Sequence, residues 1–202
     1  MNKSSTKGLL LAAALTIAIN IASKAQDSSR DYQNFPLVVT LQFHAFALPF
    51  HDFASNFKNV GIGLGTEVSL NGKDNWTQQF NVMWFRNKNL GNGLLLYTQS
   101  AWRPTIASEV YTELKIGAGY LYSFHPVTSF EQTDGAWHEV KHSGKWMFTI
   151  PIGVSLGYHN YSSGTQVSPF ITYQFLPVKN YNASIPIVPE TLLQVGSRIH
   201  SK

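Results

Sequence analysis

Residues 108–124 read SEVYTELKIGAGYLYSF, and the pattern of this stretch decides the fold. Along the whole stretch, mostly apolar side chains alternate with mainly polar residues and glycine. One face carries Val110, Thr112, Leu114, Ile116, Ala118, Tyr120, Tyr122 and Phe124. The other face carries Tyr111, Glu113, Lys115, Gly117, Gly119, Leu121 and Ser123. A repeat of two is the period of a β-strand and not of a helix, so the stretch predicts a long strand with one apolar and one polar face.

Seven further segments show the same alternation. They are Leu37–Phe46, Val60–Leu70, Trp76–Arg86, Leu94–Arg103, Trp146–Tyr158, Ser168–Leu176 and Glu190–His200. Their second faces are rich in Gly, Ser, Gln and opposite charges, which suit the crowded interior of a narrow barrel. The sequence therefore predicts an all-β fold, an eight-stranded antiparallel up-and-down transmembrane β-barrel. We expect a bulge at Pro151, because proline cannot donate a hydrogen bond to a ladder.

The connectors between these segments support the same prediction. If the barrel begins on the periplasmic side, the odd connectors face outward and the even ones inward. The outward connectors are Ala47–Asn59, Asn87–Asn92, His125–Gly144 and Pro177–Pro189. The inward connectors are Asn71–Asn75, Pro104–Ala107 and His159–Gln166. With one exception, every outward connector is longer than every inward one, which is typical of outer-membrane barrels.

Composition points the same way. Charged residues make up only 13% of the chain and aromatic residues another 13%, whereas a soluble domain averages about 25% charged residues. Aromatic residues collect near both ends of the predicted strands, as expected of the girdles at the two membrane interfaces. Near the inner end lie Trp76, Trp102, Tyr111 and Tyr158; near the outer end lie Trp84, Tyr122, Phe124, Trp146, Phe148 and Phe175. The alternative is an ordinary soluble core.

The first 25 residues have the three parts of a secretory signal peptide. Lys3 and Lys7 precede an apolar run from Gly8 to Ile21, and Ser23-Lys24-Ala25 places small residues before a cleavage site. The run is shorter than the ~20 residues of a spanning helix, so we predict a cleaved signal at 1–25 and a barrel domain at 26–202. An uncleaved N-terminal anchor is the alternative.

Cleavage would also change the charge of the protein. The chain carries a net charge of +4 and no cysteine. Loss of the three signal-peptide lysines leaves a mature charge near +1, without the basic cluster that nucleic-acid binding requires. Without cysteine, neither a lipoprotein anchor nor a disulfide framework can form.

At this point the chain resembles the small eight-stranded outer-membrane β-barrel proteins of Gram-negative bacteria. The most specific part is the last strand, where Gln194, Gly196 and Ile199 resemble the signal read by the barrel-assembly machinery. The chain departs from that pattern by ending in His200-Ser201-Lys202 and not in an aromatic residue. The resemblance implies localisation in the outer membrane, contact with outer-membrane lipid, and the barrel-assembly machinery as a partner during biogenesis.

Two motifs invite an enzymatic interpretation. The residues from His138 to His142 match the zinc-protease pattern HEXXH, which needs a helix to bring both histidines onto one face. In an extended segment they would lie about 13 Å apart, so we expect no zinc site. His159 and Ser162 resemble the His/Ser pair of outer-membrane lipid A deacylases, but their spacing is three residues where that family has two.

The polar faces carry charged residues that would lie inside the barrel. They are Glu67, Arg103, Glu113, Lys115 and Arg198. Counting across the short turns places Glu67 opposite Gln79 and Gln99 opposite Glu113, within side-chain reach. Because unpaired charges are costly in a narrow lumen, we predict that these seven residues form a polar network that plugs it. A path for ions or protons is the alternative.

The sequence favours a non-enzymatic outer-membrane protein that acts in envelope structure or binds an extracellular ligand through its outward loops. An outer-membrane enzyme that modifies lipid is the second hypothesis. A soluble, secreted, calycin-like barrel carrying a small ligand is the third. We expect no cofactor and no metal, and no binding of nucleic acid.

Overall fold

A computed structural model describes residues 34–45, 48, 57, 59–86, 92–124, 129–133, 135–140, 144–159, 165–180 and 187–200. Within them lie twelve strands. The strands are β1 (Leu37–Ala45), β2 (Val60–Ser69), β3 (Trp76–Phe85), β4 (Gly93–Trp102), β5 (Thr105–Ala107), β6 (Val110–Ser123), β7 (Ser129–Thr133), β8 (Ala136–Val140), β9 (Lys145–Thr149), β10 (Ile152–Tyr158), β11 (Gln166–Lys179) and β12 (Ile187–His200). No helix in the described part of the chain is long and apolar enough to cross a membrane.

The strands close into an eight-stranded antiparallel barrel. Around its wall the order is β1, β2, β3, β4, β6, β10, β11 and β12, with β9 continuing β10. The barrel closes because β12 pairs with β1, for example Leu37 with Ile199 and Val38 with Arg198. Each wall strand pairs with its neighbours in sequence, so the predicted up-and-down topology is confirmed.

The two faces of the wall have opposite characters. Inward side chains are buried, whereas every wall strand exposes large apolar residues outward, up to 61% of Ile62 and 59% of Ile116. One such residue on each strand is Leu41, Leu64, Val82, Leu96, Ile116, Val154, Ile171 and Val195. An apolar band that runs around the whole barrel matches the lipid-facing surface of a membrane barrel and greatly exceeds the patches of soluble monomers.

Pro151 interrupts the seventh wall strand without a bulge, contrary to the sequence prediction. On the β6 side, Thr149 pairs with Gly119 and Ile152 with Ile116, so no residue is inserted. The β11 side keeps a constant register as well. The Gly117 N–H donates to the Pro151 carbonyl at 2.9 Å. A bulge requires an extra residue, and none is present here. The ladder is interrupted only because proline has no N–H to donate.

The second inward turn is longer than predicted. β5 pairs back onto the start of β6, and the chain reverses at Ser108 and Glu109 rather than within Pro104–Ala107. This later reversal shifts the register between β4 and β6, so that Gln99 lies opposite Gly117. The predicted pairing of Gln99 with Glu113 is therefore wrong.

The outward connector His125–Gly144, predicted as a loop, contains the β7–β8 hairpin. Thr133 pairs with Ala136 at its tip, and Gly135 there has a φ of 78°. Glycine adopts this left-handed conformation without steric cost. The hairpin forms a two-stranded sheet that is separate from the sheet of the barrel wall.

Candidate functional site in the barrel lumen

The lumen is filled by two layers of different chemistry. We call the barrel end with the short connectors the turn end and the opposite end the loop end. The ionic layer, near the turn end, consists of Glu67, Arg103, Glu113, Lys115 and Arg198, none of which is more than 5% exposed. The apolar layer, near the loop end, consists of Met83, Phe85, Leu95, Tyr97, Leu121, Met147, Leu176, Val178 and Leu192.

Two carboxylates bridge two guanidinium groups in the ionic layer. Arg103 Nη2 lies 2.8 Å from both oxygens of Glu67, and its Nε lies 2.6 Å from Glu113 Oε1. Arg198 Nε lies 3.0 Å from Glu67 Oε2, and its Nη2 lies 2.7 Å from Glu113 Oε1. Lys115 Nζ lies 2.9 Å from Glu113 Oε2. Each buried charge thus has opposite charges beside it, which burial requires.

Neutral groups complete the ionic layer. Gln79 Nε2 donates to Glu67 Oε2 at 2.9 Å, and the two residues lie opposite each other in the sheet as predicted. Arg198 also donates to the Tyr111 hydroxyl. Tyr111 fits against the wall because residue 157 is glycine, where an added Cβ would lie 2.2 Å from the tyrosine ring. Gln99 is not in this cluster; its Oε1 accepts from Gln174 Nε2 at 2.8 Å.

A buried His–Glu pair adjoins the apolar layer, and the sequence did not indicate it. His44 Nε2 lies 2.9 Å from Glu190 Oε2, and its ring stacks on Phe85 with 4.4 Å between centroids. His44 is on β1 and Glu190 on β12, so only closure of the barrel brings them together. The apolar layer was missed too, because its residues stand on the face assigned to polar groups.

A small cavity lies beside the ionic layer. Its volume is about 10 Å³, roughly the room that one water molecule occupies. Charged and polar groups line much of it, among them Lys115, Arg198, Gln99 and Thr66. A cavity of this size cannot hold the small organic ligand that a calycin-like carrier would bind.

His159 occupies the turn end, just after β10. Its backbone N–H donates to the Glu109 carbonyl at 2.7 Å, and its ring lies 4.3 Å from that of Tyr111. Burial, followed by the charges of Arg103 and Arg198, lowers the pKa of His159 from 6.5 to about 3. The Asp74 carboxylate lies 3.6 Å from Nε2 but is one-third exposed, so it is too screened to reverse this shift.

The two sequence motifs fall in different places. His138 lies on β8 and therefore in an extended strand, not on a helix; His142 lies outside the described residues. Ser162, the suggested partner of His159, lies outside them as well. Within the described ranges, no group of three or more His, Cys, Asp or Glu side chains could hold a metal ion.

A closed eight-stranded barrel with an apolar outer band and paired charges buried in its lumen is the architecture of an outer-membrane β-barrel protein. The fold and this outer surface place the chain in the outer membrane, with its band against lipid. The predicted resemblance is thus confirmed at the level of architecture.

Solved structures of other proteins are similar to this chain at low sequence identity. Neisserial surface protein A is 11% identical, with 83% of this chain and 97% of that chain covered and a TM-score of 0.51. The attachment invasion locus protein Ail of Yersinia pestis is 11% identical, covering 83% and 99%, with a TM-score of 0.49. The N-terminal barrel domain of Pseudomonas aeruginosa OprF is 11% identical, covering 82% and 98%, with a TM-score of 0.46. No protein-family model and no curated protein matches the chain.

Proposed function

We propose that the protein is a non-enzymatic, non-conducting outer-membrane barrel that acts in envelope structure or binds an extracellular ligand through its outward connectors. The observation that carries this proposal is the packing of the lumen. Two arginines are each held by two glutamates, and a layer of buried apolar side chains follows along the barrel axis.

Both layers oppose ion passage, for different reasons. An ion crossing the ionic layer would have to break several buried charge-assisted hydrogen bonds, which are about twice as strong as neutral ones. An ion crossing the apolar layer would lose its hydration without gaining polar partners. An eight-stranded barrel is just wide enough for side chains to fill, so neither layer leaves room for a bypass.

Conductance in planar bilayers tests this proposal. We expect purified, refolded protein to give no stable single-channel steps, with a general porin recorded in the same bilayers as the positive control. Heat-dependent mobility on a denaturing gel would verify in the same preparation that the protein is folded. Stable steps from folded protein would contradict the closed lumen and favour the ion path.

The β7–β8 hairpin supports the ligand-binding part of the proposal. It is a defined element in the longest outward connector, and loops on a rigid scaffold commonly carry recognition. We expect trypsin added to intact cells to cleave after Lys141 in this connector and to spare Lys73 in an inward turn. Cleavage at Lys73 alone would mean that the barrel has the opposite orientation and that this connector does not lie on the cell surface.

Lipid modification is the enzymatic alternative, and the position of His159 argues against it. His159 is buried at the turn end, whereas an enzyme acting on outer-leaflet lipid needs its base at the loop end. We expect lipid A mass spectra to be unchanged when the protein is overexpressed. Loss or gain of an acyl chain that depends on His159 would contradict the non-enzymatic proposal.

A further inference from the structure

The charges of the ionic layer do not cancel. Arg103, Lys115 and Arg198 contribute three positive charges, and Glu67 and Glu113 contribute two negative ones. The remaining described carboxylate buried in the lumen, Glu190, belongs to the loop-end pair with His44. The ionic layer therefore holds one excess positive charge away from water, which is costly without a counter-charge.

The small lumen cavity lies where this excess resides. Two of the three cationic side chains, Lys115 and Arg198, line it, and neither Glu67 nor Glu113 does. Glu113 contacts Lys115 as well as both arginines, but neither carboxylate lines the cavity, so its wall offers positive charge without a negative one. An anion placed there would approach two cations and would not face a carboxylate.

The cavity also presents a hydrogen-bond donor that has no partner among the described residues. Gln99 lines it and is only 1% exposed. Its carbonyl oxygen accepts from Gln174, while its Nε2 has no hydrogen-bond partner among the described residues. Because buried donors are nearly always satisfied, this amide group points to an occupant.

We propose that this cavity binds one small monovalent anion, of the halide class, as the counter-ion of the ionic layer. Its room is that of about one water molecule, which excludes sulfate, phosphate and carboxylate ligands and admits a monatomic anion once the flexible Lys115 and Gln99 side chains move slightly outward. Lys115 and Arg198 supply the charge, and Gln99 supplies a neutral donor. A water molecule could use the same donors but would leave the excess charge uncompensated.

Unfolding in different salts tests the site in solution. Refolded protein in detergent micelles would be unfolded by urea in sodium chloride, sodium bromide or sodium gluconate at one ionic strength. A ligand that binds only the folded state raises stability with its concentration. We expect the urea midpoint to rise in a saturable way with chloride and bromide, and to stay constant with gluconate.

Matched variants identify the residues responsible. Lys115→Gln removes the excess charge and should abolish the chloride dependence. Lys73→Gln removes one positive charge from an exposed turn and should retain the full dependence. If Lys115→Gln fails to fold, Gln99→Leu provides a second test of the chloride dependence. It removes a cavity donor and leaves every charge in place.

Crystals grown in bromide locate the anion directly. We expect an anomalous bromide peak within the cavity, between Lys115 and Gln99. Absence of the peak would overturn the proposal even if the midpoints moved, because anions on the surface could move them. A peak without any halide effect on the midpoints would mean binding at crystal concentration only, and would overturn it too.

Discussion

The ionic layer and the apolar layer close the same lumen by different physics. In the ionic layer, each contact depends on direction and on a named partner, as in the two arginines shared between Glu67 and Glu113. In the apolar layer, side chains such as Met83 and Leu192 exclude water by shape and area alone. A substitution in the first layer leaves an unmatched charge, whereas a substitution in the second leaves a void. The two layers should therefore fail in different ways.

The largest expected effect comes from breaking the ionic layer. Arg198→Ala leaves Glu67 and Glu113 each short of a buried partner, which costs about 3–5 kcal/mol. Urea unfolding of the refolded protein would measure this loss. Arg86→Ala is the matched control, because Arg86 is exposed at the end of β3, and it should change stability by less than about 0.5 kcal/mol. Equal losses of stability in the two variants would mean that the buried ion pairs do not stabilise the folded protein more than an exposed arginine does.

A void in the apolar layer should have a somewhat smaller effect. Leu192 is fully buried, and Leu192→Ala should cost about 2–4 kcal/mol through lost contacts and an unfilled cavity. Leu192→Met conserves volume and should cost less than about 1.5 kcal/mol. The same urea titration compares both variants. A methionine variant as unstable as the alanine variant would show that this layer depends on shape more strictly than on volume.

Acid should act on the turn end through His159. Its pKa is about 3 in the folded protein and ordinarily 6.5, so below pH 6.5 the unfolded chain binds a proton that the folded barrel does not. Stability must then fall as the pH falls from 6.5 toward 3. The loss amounts to about 1.4 kcal/mol at pH 5.5.

Unfolding midpoints at pH 7.5 and 5.5 would measure this loss. His159→Asn cannot take up the proton and should flatten the pH dependence over that window, while Lys73→Gln should leave it intact. An unchanged slope in His159→Asn would assign the acid sensitivity to other groups.

The smallest effect is expected at Pro151. The Gly117 N–H already donates to its carbonyl, so Pro151→Ala should add the reciprocal hydrogen bond, a gain of about 0.5–1.5 kcal/mol. The loss of proline rigidity in the unfolded chain offsets part of this gain. We expect stability within about 1 kcal/mol of the native protein. A loss of several kcal/mol would contradict the continuous register of the seventh wall strand.

The wall of the barrel could be predicted from sequence because lipid and lumen impose different residue types on alternating positions. The register across a turn was harder to predict. The hairpin after Trp102 reverses only at Ser108, and an error of a few residues in the position of the turn changes every cross-strand partner. The β7–β8 hairpin had a recognisable signal in Asp134-Gly135, a pair favoured in two-residue β-turns.

The contents of the lumen were harder to predict than its wall. Inward alternation identifies which residues enter the lumen, but it does not reveal which of them meet, because His44 and Glu190 come together only when the first and last strands pair. An inward Leu95 looks like any other apolar residue in a strand, so the apolar layer had no separate signature. The signal peptide at 1–25 lies outside the described residues and stays a prediction.

The seam between β1 and β12 has a consequence for how the chain is made. Leu37 pairs with Ile199, so the barrel cannot close until the chain has been synthesised through β12. Until then the first strand carries an open row of backbone donors and acceptors, which a hydrocarbon environment does not tolerate. Contacts this distant in sequence also slow folding. The nascent chain must therefore be kept from lipid until β12 is available, and insertion and closure become a single event.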